Sequence, residues 1–557
     1  MTTTDITTTQ QIEELEKALA ELKNIEKRSE STRRGGDTSD EDSGQSKKSP
    51  EYQIEKSIQY VKSSYDVIVG EDGRLYWGEK GTHVMRSGDD ELKERIGLFA
   101  LDGMSLTLKT VRDDALAYIR HEARREIEEG MKQPYTFTPR VMTSKDGSVW
   151  IDTGRGHHHS TVTTDKALGF IKVSPDGSWT MNAKPNEDVF FYRNSFIGQL
   201  DVEKDDITGI TKLFEHINVP RDMIGNIVAF IVNGVVVPDG DQPVLYIQGQ
   251  QGSGKTTTGE RIKQIFFPTV GLGQEEAKAG LPESISDMNA LLRQDACPFY
   301  DNITGLAVQM SDAICRIATG AAFASRKLYT DGDLAQSKYR RPQIITSVDQ
   351  ITMRADLQTR CVFIDPPKLQ NEGKYQLGSV MRRKWYEDLP KIRGAFLTLA
   401  AEVLKRRAEK MHEGYTATTR MADFELTSVI CDEILKESGI LEDGYDSVQA
   451  RADASSSLRT AAIPAVLDFL INHDDIEDIE DMKAAEILNL LRTEAKSVGH
   501  PTDYFPKSAR GLSPILNDNW DVIEDNFDAE KRVDTRSRQL FYTLHRKNAN
   551  SHNETRI

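Results

Sequence analysis

Apolar positions along the chain change spacing several times, and those changes divide it. Residues 12–25 (IEELEKALAELKNI) carry apolar side chains at helical intervals and predict one amphipathic helix. Residues 29–50 (SESTRRGGDTSDEDSGQSKKSP) are polar, without period, and predict a disordered linker, because such a stretch has too little to bury. The segment 1–50 is therefore peripheral. From 51 to 219 short apolar runs flank Asp-Gly turns. Residues 65–69 and 75–77 lie either side of Asp72-Gly73, 140–142 and 148–152 either side of Asp146-Gly147, and 171–173 and 179–181 either side of Asp176-Gly177. Each is a hairpin signal. With helical patterns at 92–100 and 111–129, the expectation is an α+β N-terminal domain over 51–219. A helical stretch, 206–236, leads into the next region.

That region, 220–370, holds the clearest pattern. An apolar run (Val244, Leu245, Tyr246, Ile247) reads as a buried strand, and residues 257–267 read as a helix. Between them Gly249, Gly254, Lys255 and Thr256 satisfy G-x-x-x-x-G-K-T, the P-loop pattern in the strand-to-helix setting it requires. Glycines at such a turn let backbone N–H groups close on phosphate oxygens at the positive end of a helix. Gly252, Ser253 and Thr257 belong to the same expected lining. Lys255 would reach the β- and γ-phosphates of ATP, and the Thr256 hydroxyl would hold Mg²⁺. Downstream, residues 296–302 (ACPFYDN) form an apolar run ending in Asp301, placed to hold the hydration shell of the same metal. Asn302 follows it; an amide can orient a water but cannot take its proton. A further strand, 343–348, carries Thr346 and Ser347, either of which could sense a γ-phosphate. Arg354 and Arg360 precede the apolar run 361–364, where an arginine can reach a neighbouring subunit's nucleotide.

The last third is helix-rich. Residues 378–412 and 421–437 predict a helical lid or collar over 371–440. Helices are expected at 461–473, 482–498 and 508–516, an acidic loop at 474–481, and a strand at 536–544. Helix, helix and basic hairpin over 455–547 suggest a winged helix in which Lys507, Arg510, Arg536 and Arg538 touch DNA phosphates. A protein-contact domain fits the same pattern. Residues 548–557 read as a disordered tail.

Composition narrows the classes. The 557 residues suffice for several domains, with 38% apolar and 29% charged content and a net charge of −17. So acidic a chain is not a general polyanion binder, and any DNA contact must be local. No apolar run approaches the ~20 residues of a membrane span, and the N-terminus lacks a basic-then-apolar leader. Cys297, Cys315, Cys361 and Cys431 are scattered, which suits a reducing cytoplasm. The triple His157–His159 lacks a partner at ligand spacing and reads as a solvated loop. Arg120, Arg124 and Arg125 read as a solvated basic face. No paired carboxylates of polymerase type stand out on a strand.

Residues 301–366, with DN, SDAICRIATG, RKLYTDGD, RRP before an apolar strand, and RADLQTR, resemble the ATPase domain of replication proteins encoded by phages and integrated elements. That domain is similar to the superfamily 3 helicases and poxvirus-type primase-helicases, a branch of the AAA+ ATPases, and the resemblance spans roughly 135–430. It implies an α/β P-loop core, a homo-oligomeric ring, typically a hexamer, and translocation on single-stranded DNA. Arg360 and Arg354 would act as arginine fingers in trans. The segment 319–329 would form a channel-facing hairpin presenting Arg326 and Lys327 to phosphates and Tyr329 to a base. Two departures bear on rate: Asn302 stands where many relatives have an acidic residue, and Thr346 and Ser347 stand where Asn is common. A second reading follows from Asn302, namely a nucleotide-gated assembly protein that binds ATP with little turnover and recruits a primase or polymerase.

Overall fold

The computed structural model describes residues 49–547 except 72, 104–108, 132–134, 136–139, 156–168, 195, 272–273, 276–279, 321, 327–333, 349–350, 352, 369–376, 462–464, 474–477, 501, 503–504 and 535–538. The amphipathic helix expected at 12–25 and the histidine triple lie outside these residues. The chain divides into two compact units, one of Met1–Val348 with Arg360–Val448, the other of Asp349–Thr359 with Gln449–Ile557.

The first unit opens with α1 (Pro50–Ser64), capped by the Ser49 side chain, which accepts from Tyr52 N at 3.2 Å. Strands β1 (Tyr65–Val69), β2 (Leu75–Glu79) and β3 (Val84–Ser87) form an antiparallel meander. Helices α2 (Asp89–Gly103) and α3 (Lys109–Glu128) pack with α1 on a core that includes Ile58, Val61, Trp77, Leu92 and Ile119. A second antiparallel sheet follows: β4 (Val141–Thr143), β5 (Val149–Asp152), β6 (Phe170–Val173) and β7 (Trp179–Met181), in that order. Strand β8 (Phe191–Tyr192) returns to pair with β3. The turns expected at Gly73, Gly147 and Gly177 form, and all three glycines have φ between +72° and +89°.

A run of 3₁₀ helix (Ile207–Glu215) leads to α4 (Ile224–Val236), buried from Gly225 to Val236 and apolar except for Asn226 and Asn233. Then come β9 (Val244–Gln248), α5 (Lys255–Phe266), the short ribbon β10 (Val270–Gly271) and β11 (Gln274–Glu275), α6 (Ile285–Gln294), β12 (Phe299–Ile303) and α7 (Val308–Thr319). A hairpin of β13 (Ala322–Arg326) and β14 (Leu334–Lys338) precedes β15 (Gln343–Ser347). The segment grouped with the second unit carries α8 (Ala355–Gln358), and β16 (Cys361–Ile364) returns to the first. Strands β12, β15, β9 and β16 form one parallel sheet in that order. Leu245–Ile247, Ile344–Ile345 and Val362–Ile364 are buried throughout, so these strands read as continuous apolar runs and not as alternating ones.

Helix α9 (Gly378–His412) and α10 (Ala422–Glu437) complete the unit. α9 buries Trp385, Leu389, Ile392, Phe396 and Leu399 in its middle. At Gly394 the chain passes so close that an added Cβ would lie 1.7 Å from the Glu203 carbonyl oxygen. Trp179 Nε1 donates to Thr398 Oγ1 at 3.1 Å, tying the second sheet to this helix.

The second unit contains most of α11 (Ser447–Ala461), then α12 (Ala465–Asn472), β17 (Ile479–Lys483), α13 (Ala484–Ser497), α14 (Ala509–Asp518), α15 (Trp520–Asn526), β18 (Phe527–Val533) and β19 (Leu540–Arg546). Its antiparallel sheet has the order β17-β19-β18, over a core of Leu467, Phe469, Ile487, Leu491, Leu512, Leu516 and Tyr542. Residues 479–483, expected as the end of an acidic loop and the start of a helix, form β17 instead. Ile479 pairs with Leu544 and Met482 with Tyr542, and both contribute to the apolar core. The helix begins only after Lys483, whose N–H donates to Glu486 Oε2 at 2.8 Å.

Candidate functional site

The loop 249–254 leaves the C-terminal edge of the parallel sheet, the edge where ligands of open α/β sheets gather. Gly252 and Gly254 have φ of +84° and +79°, and Gly254 is the N-cap of α5. At Gly249 the constraint is space: an added Cβ would lie 2.7 Å from Ser253 Oγ and 3.3 Å from Pro366 Cδ. Two groups of this loop are buried without partners among the described residues. Ser253 Oγ has no hydrogen bond. Lys255, the first residue of α5, is 7% exposed and makes no ion pair. A buried ammonium beside an orphaned hydroxyl, at a helix N-terminus, is the donor set an oxyanion would satisfy.

One turn further, three predicted residues from three elements meet. Thr256 Oγ1 donates to Asp301 Oδ1 at 2.9 Å, and Thr346 Oγ1 donates to the same oxygen at 2.6 Å. Thr346 Oγ1 in turn accepts from the Asn302 N–H at 2.8 Å. Strand β12 makes this possible by breaking register with β15 between Tyr300 and Ile303. Asn302 takes the irregularity with φ +55° and an exposed side chain. Left-handed backbone is tolerated by Asn more readily than by most side chains.

Thr346 and Ser347, interchangeable in the sequence, separate here. Strand alternation turns Ser347 to the other face, where its Oγ shares a 2.6 Å hydrogen bond with Tyr246 Oη; both residues are buried. Thr257 is half-buried on α5. Arg360 is buried at the start of β16, and its carbonyl accepts from Val244 N at 3.0 Å. That is the N-terminal edge of the sheet, four strand residues or about 13 Å from the Thr256–Asp301 end. Arg354 lies in the segment grouped with the second unit and pairs with Asp356 at 3.6 Å. Arg326 ends β13 opposite Leu334; Lys327 and Tyr329 lie outside the described residues, in the 327–333 connection of the hairpin. Lys507 and Arg510 are exposed, and Arg536 and Arg538 lie outside the described residues. Arg124 and Arg125 are exposed and Arg120 is half-buried on α3.

Several residues that hold the site in place carry no signal in the sequence. Asn218 Nδ2 donates to the carbonyls of Ser253 (2.9 Å) and Pro367 (2.7 Å), fastening the glycine loop to the chain beyond β16. Arg393 of α9 caps the C-terminal end of α5, with Nε on Ile265 O at 2.9 Å and a terminal nitrogen on Gln264 O at 2.7 Å. Lys263 on α5 forms a buried ion pair with Asp295 at 2.6 Å. A lone Asn or Arg before folding is indistinguishable from a surface one; only the carbonyls it meets distinguish it. Among the described residues no cluster of three or more His, Cys, Asp or Glu could hold a metal, and no helix is long and apolar enough to cross a membrane.

Residues 210–442 match the family model of the actinomycete integrative conjugative element replication protein. The match covers less than half of the 557-residue chain but includes the whole of the parallel sheet and both partners of the Thr256–Asp301 contact. It ties this stretch to a family of replication proteins. No curated protein matches the chain. Among solved structures, the apo NrS-1 C-terminal region (305–718) is 10% identical over 90% of this chain and 100% of that one, with a TM-score of 0.38. The A form of the same region gives 9% identity and a TM-score of 0.36 over the same shares. JCV helicase is 13% identical over 45% of this chain and 64% of that one, with a TM-score of 0.23. Scores this low carry no argument about fold or activity.

Proposed function

We propose that the chain is an ATP-dependent DNA motor, a replicative helicase-like ATPase of a mobile element, working as a homo-oligomeric ring on single-stranded DNA. The observation that carries this reading is the Thr256–Asp301 contact beside a glycine loop whose buried lysine and serine side chains have no partner among the described residues. The donor set fits MgATP. Thr256 and Asp301 offer hard oxygen ligands of the kind Mg²⁺ takes alongside retained waters. Lys255, Ser253 and the backbone N–H groups of 252–256 would hold the phosphates. The metal would neutralise charge on the β- and γ-oxygens as the bond breaks. Thr346 keeps Asp301 and the Asn302 backbone in fixed register, and the Asn302 amide would orient the attacking water. Arg360 or Arg354 would serve a neighbouring subunit's nucleotide, and the hairpin's Arg326, Lys327 and Tyr329 would meet the strand. The helix and strand order of the second unit, with β19 between β17 and β18, supports a winged-helix reading.

Steady-state ATP hydrolysis with and without single-stranded DNA, beside Lys255→Ala, tests the proposal. Stimulation by DNA that disappears in the variant is expected. Nucleotide binding with negligible turnover, whether or not DNA is present, would overturn it in favour of an assembly protein that recruits a primase or polymerase.

A further inference from the structure

The opposite edge of the parallel sheet holds a second concentration of positive charge that the motor reading does not use. Ala296, Gln242 and Pro342, which lie one to three residues ahead of β12, β9 and β15, line a small solvent-open cavity together with Arg140, Arg340 and Arg341. Arg341 is 8% exposed and Arg140 2% exposed. Arg140 meets only backbone carbonyls: Asp152 O and Gly198 O at 2.7 Å, and Pro268 O at 3.1 Å. Arg341 spends one terminal nitrogen on the Arg340 carbonyl at 2.9 Å, and Arg340 one on the Asp239 carbonyl. The Nε–H groups of both Arg340 and Arg341 are buried without a hydrogen-bond partner. Among the described residues, none of the three guanidiniums makes an ion pair with a carboxylate; the nearby Asp295 is taken by Lys263. Burial holds the Arg140 guanidinium down to about 10 and depresses Arg341 as well, outweighing the carboxylates of Asp152 and Asp295 near the first and of Asp239 and Asp295 near the second.

Buried charges are ordinarily paired, because an unpaired one costs several kcal/mol of solvation. Two buried guanidiniums and the half-buried Arg340 on one cavity, with the Nε–H groups of Arg340 and Arg341 unspent, describe an anion site. We propose that this cavity binds one compact oxyanion, of which inorganic phosphate is the simplest, through Arg340 and Arg341 with Arg140 behind them. The cavity is small and open to solvent, so the ligand is a single phosphate-like group. Its position gives it a mechanical meaning. Arg340 and Arg341 follow β14, the second strand of the hairpin, after Tyr339 alone, and Arg140 directly precedes β4 of the N-terminal β-sheet. An anion held by all three would tie the hairpin's base to that sheet.

The inference stands apart from the nucleotide reading, and its test removes that site first. Phosphate is titrated calorimetrically into the full-length Lys255→Ala chain at constant ionic strength, with chloride as control. Saturable binding of one phosphate per chain is expected, weakened about tenfold by Arg341→Gln and again by Arg340→Gln, since loss of one charge-assisted contact corresponds to about that factor. Arg341→Lys, which keeps the charge, guards against simple misfolding and should bind with intermediate affinity. Unchanged phosphate affinity in the glutamine variants, or no binding in Lys255→Ala, would overturn the proposal and leave these arginines as braces on backbone carbonyls. Displacement of phosphate by an oligothymidylate would also overturn it, reassigning the donors to nucleic acid.

Discussion

Thr346 and Ser347 are adjacent on β15 with hydroxyls on opposite faces, so replacing each alone separates the chemistry of the site from the stability of the sheet. Thr346→Val keeps the branched shape in a fully buried position and removes only the hydroxyl. Two hydrogen bonds go with it, one to Asp301 Oδ1 at 2.6 Å and one from Asn302 N at 2.8 Å. The bond to the carboxylate is worth about 1.5–3 kcal/mol. The bond from Asn302 is neutral and near the surface, so water replaces most of it. If the carboxylate bond is felt mainly as Asp301 positions the metal during transfer, turnover should fall by about 10- to 100-fold, while ATP affinity, set by the loop and Lys255, should hardly move. Ser347→Ala removes a buried hydrogen bond with the Tyr246 hydroxyl, at about 1 kcal/mol. The Ser347 side chain touches neither Asp301 nor the loop, and its carbonyl, which accepts from Gly249 N at 3.3 Å, is kept by alanine, so the substitution should lower the unfolding midpoint and spare turnover. The assay is DNA-stimulated hydrolysis with nucleotide binding and denaturant unfolding measured on the same preparations. If Ser347→Ala loses turnover as heavily as Thr346→Val, or if Thr346→Val is fully active, the assignment of Thr346 to the site is wrong.

Three further perturbations test other parts of the structure. At Asn302, φ +55° should make Asn302→Gly as stable as the parent and Asn302→Glu about 1 kcal/mol less stable in urea unfolding; equal midpoints would show that the backbone does not select the residue. Lys263→Met strands Asp295 in a buried setting and should cost about 3–5 kcal/mol, largely restored by adding Asp295→Asn; a loss no greater than that of an average surface substitution would contradict a buried pair. Burial, outweighing two hydrogen bonds from Ser447, pushes Asp432 up to about 6. The unfolded chain releases that proton near 4, so the folded state binds it more tightly. Stability should therefore fall as pH rises from about 4 to about 6 and be flat above. The parent should lose about 1–2 kcal/mol relative to Asp432→Asn between pH 5 and pH 7.5 in urea midpoints, and parallel pH profiles would refute the shift.

What could be read before folding was whatever local physics encodes. The Asp-Gly turns announce their hairpins because positive φ needs glycine, and the buried parallel strands announce themselves as unbroken apolar runs. Lys255, Thr256 and Asp301 stood out because phosphate and metal chemistry demands those residue types in that order. Contacts made across sequence were silent. Asn218 reaches Ser253 and Pro367, and Arg393 reaches the end of α5 from more than a hundred residues away. Strand β17 was misread because its charged residues obscured the two, Ile479 and Met482, that meet the core. The split between Thr346 and Ser347 needed the strand's facing, which two adjacent small hydroxyl residues cannot reveal.

Asn302 is where these levels meet. From the sequence alone its amide, where a base is common, counts toward a slow nucleotide switch. The structure supplies a separate cause. The register break after Tyr300 places residue 302 in left-handed backbone, with its N–H committed to Thr346. A residue there must accept that backbone, and Asn does so at lower cost than Glu. Its identity is then accounted for without reference to rate, and the absence of a carboxylate at 302 ceases to weigh for the switch over the motor. The hydroxyl of Thr346 already links the 302 backbone to the Asp301 carboxylate, so water held by the Asn302 side chain would sit in fixed relation to the metal ligand. Positioning of that kind depends on Thr346 more than on the basicity of residue 302, and it predicts that Thr346→Val will depress turnover more than Asn302→Ala does. The opposite ranking would return the decisive role to the side chain at 302.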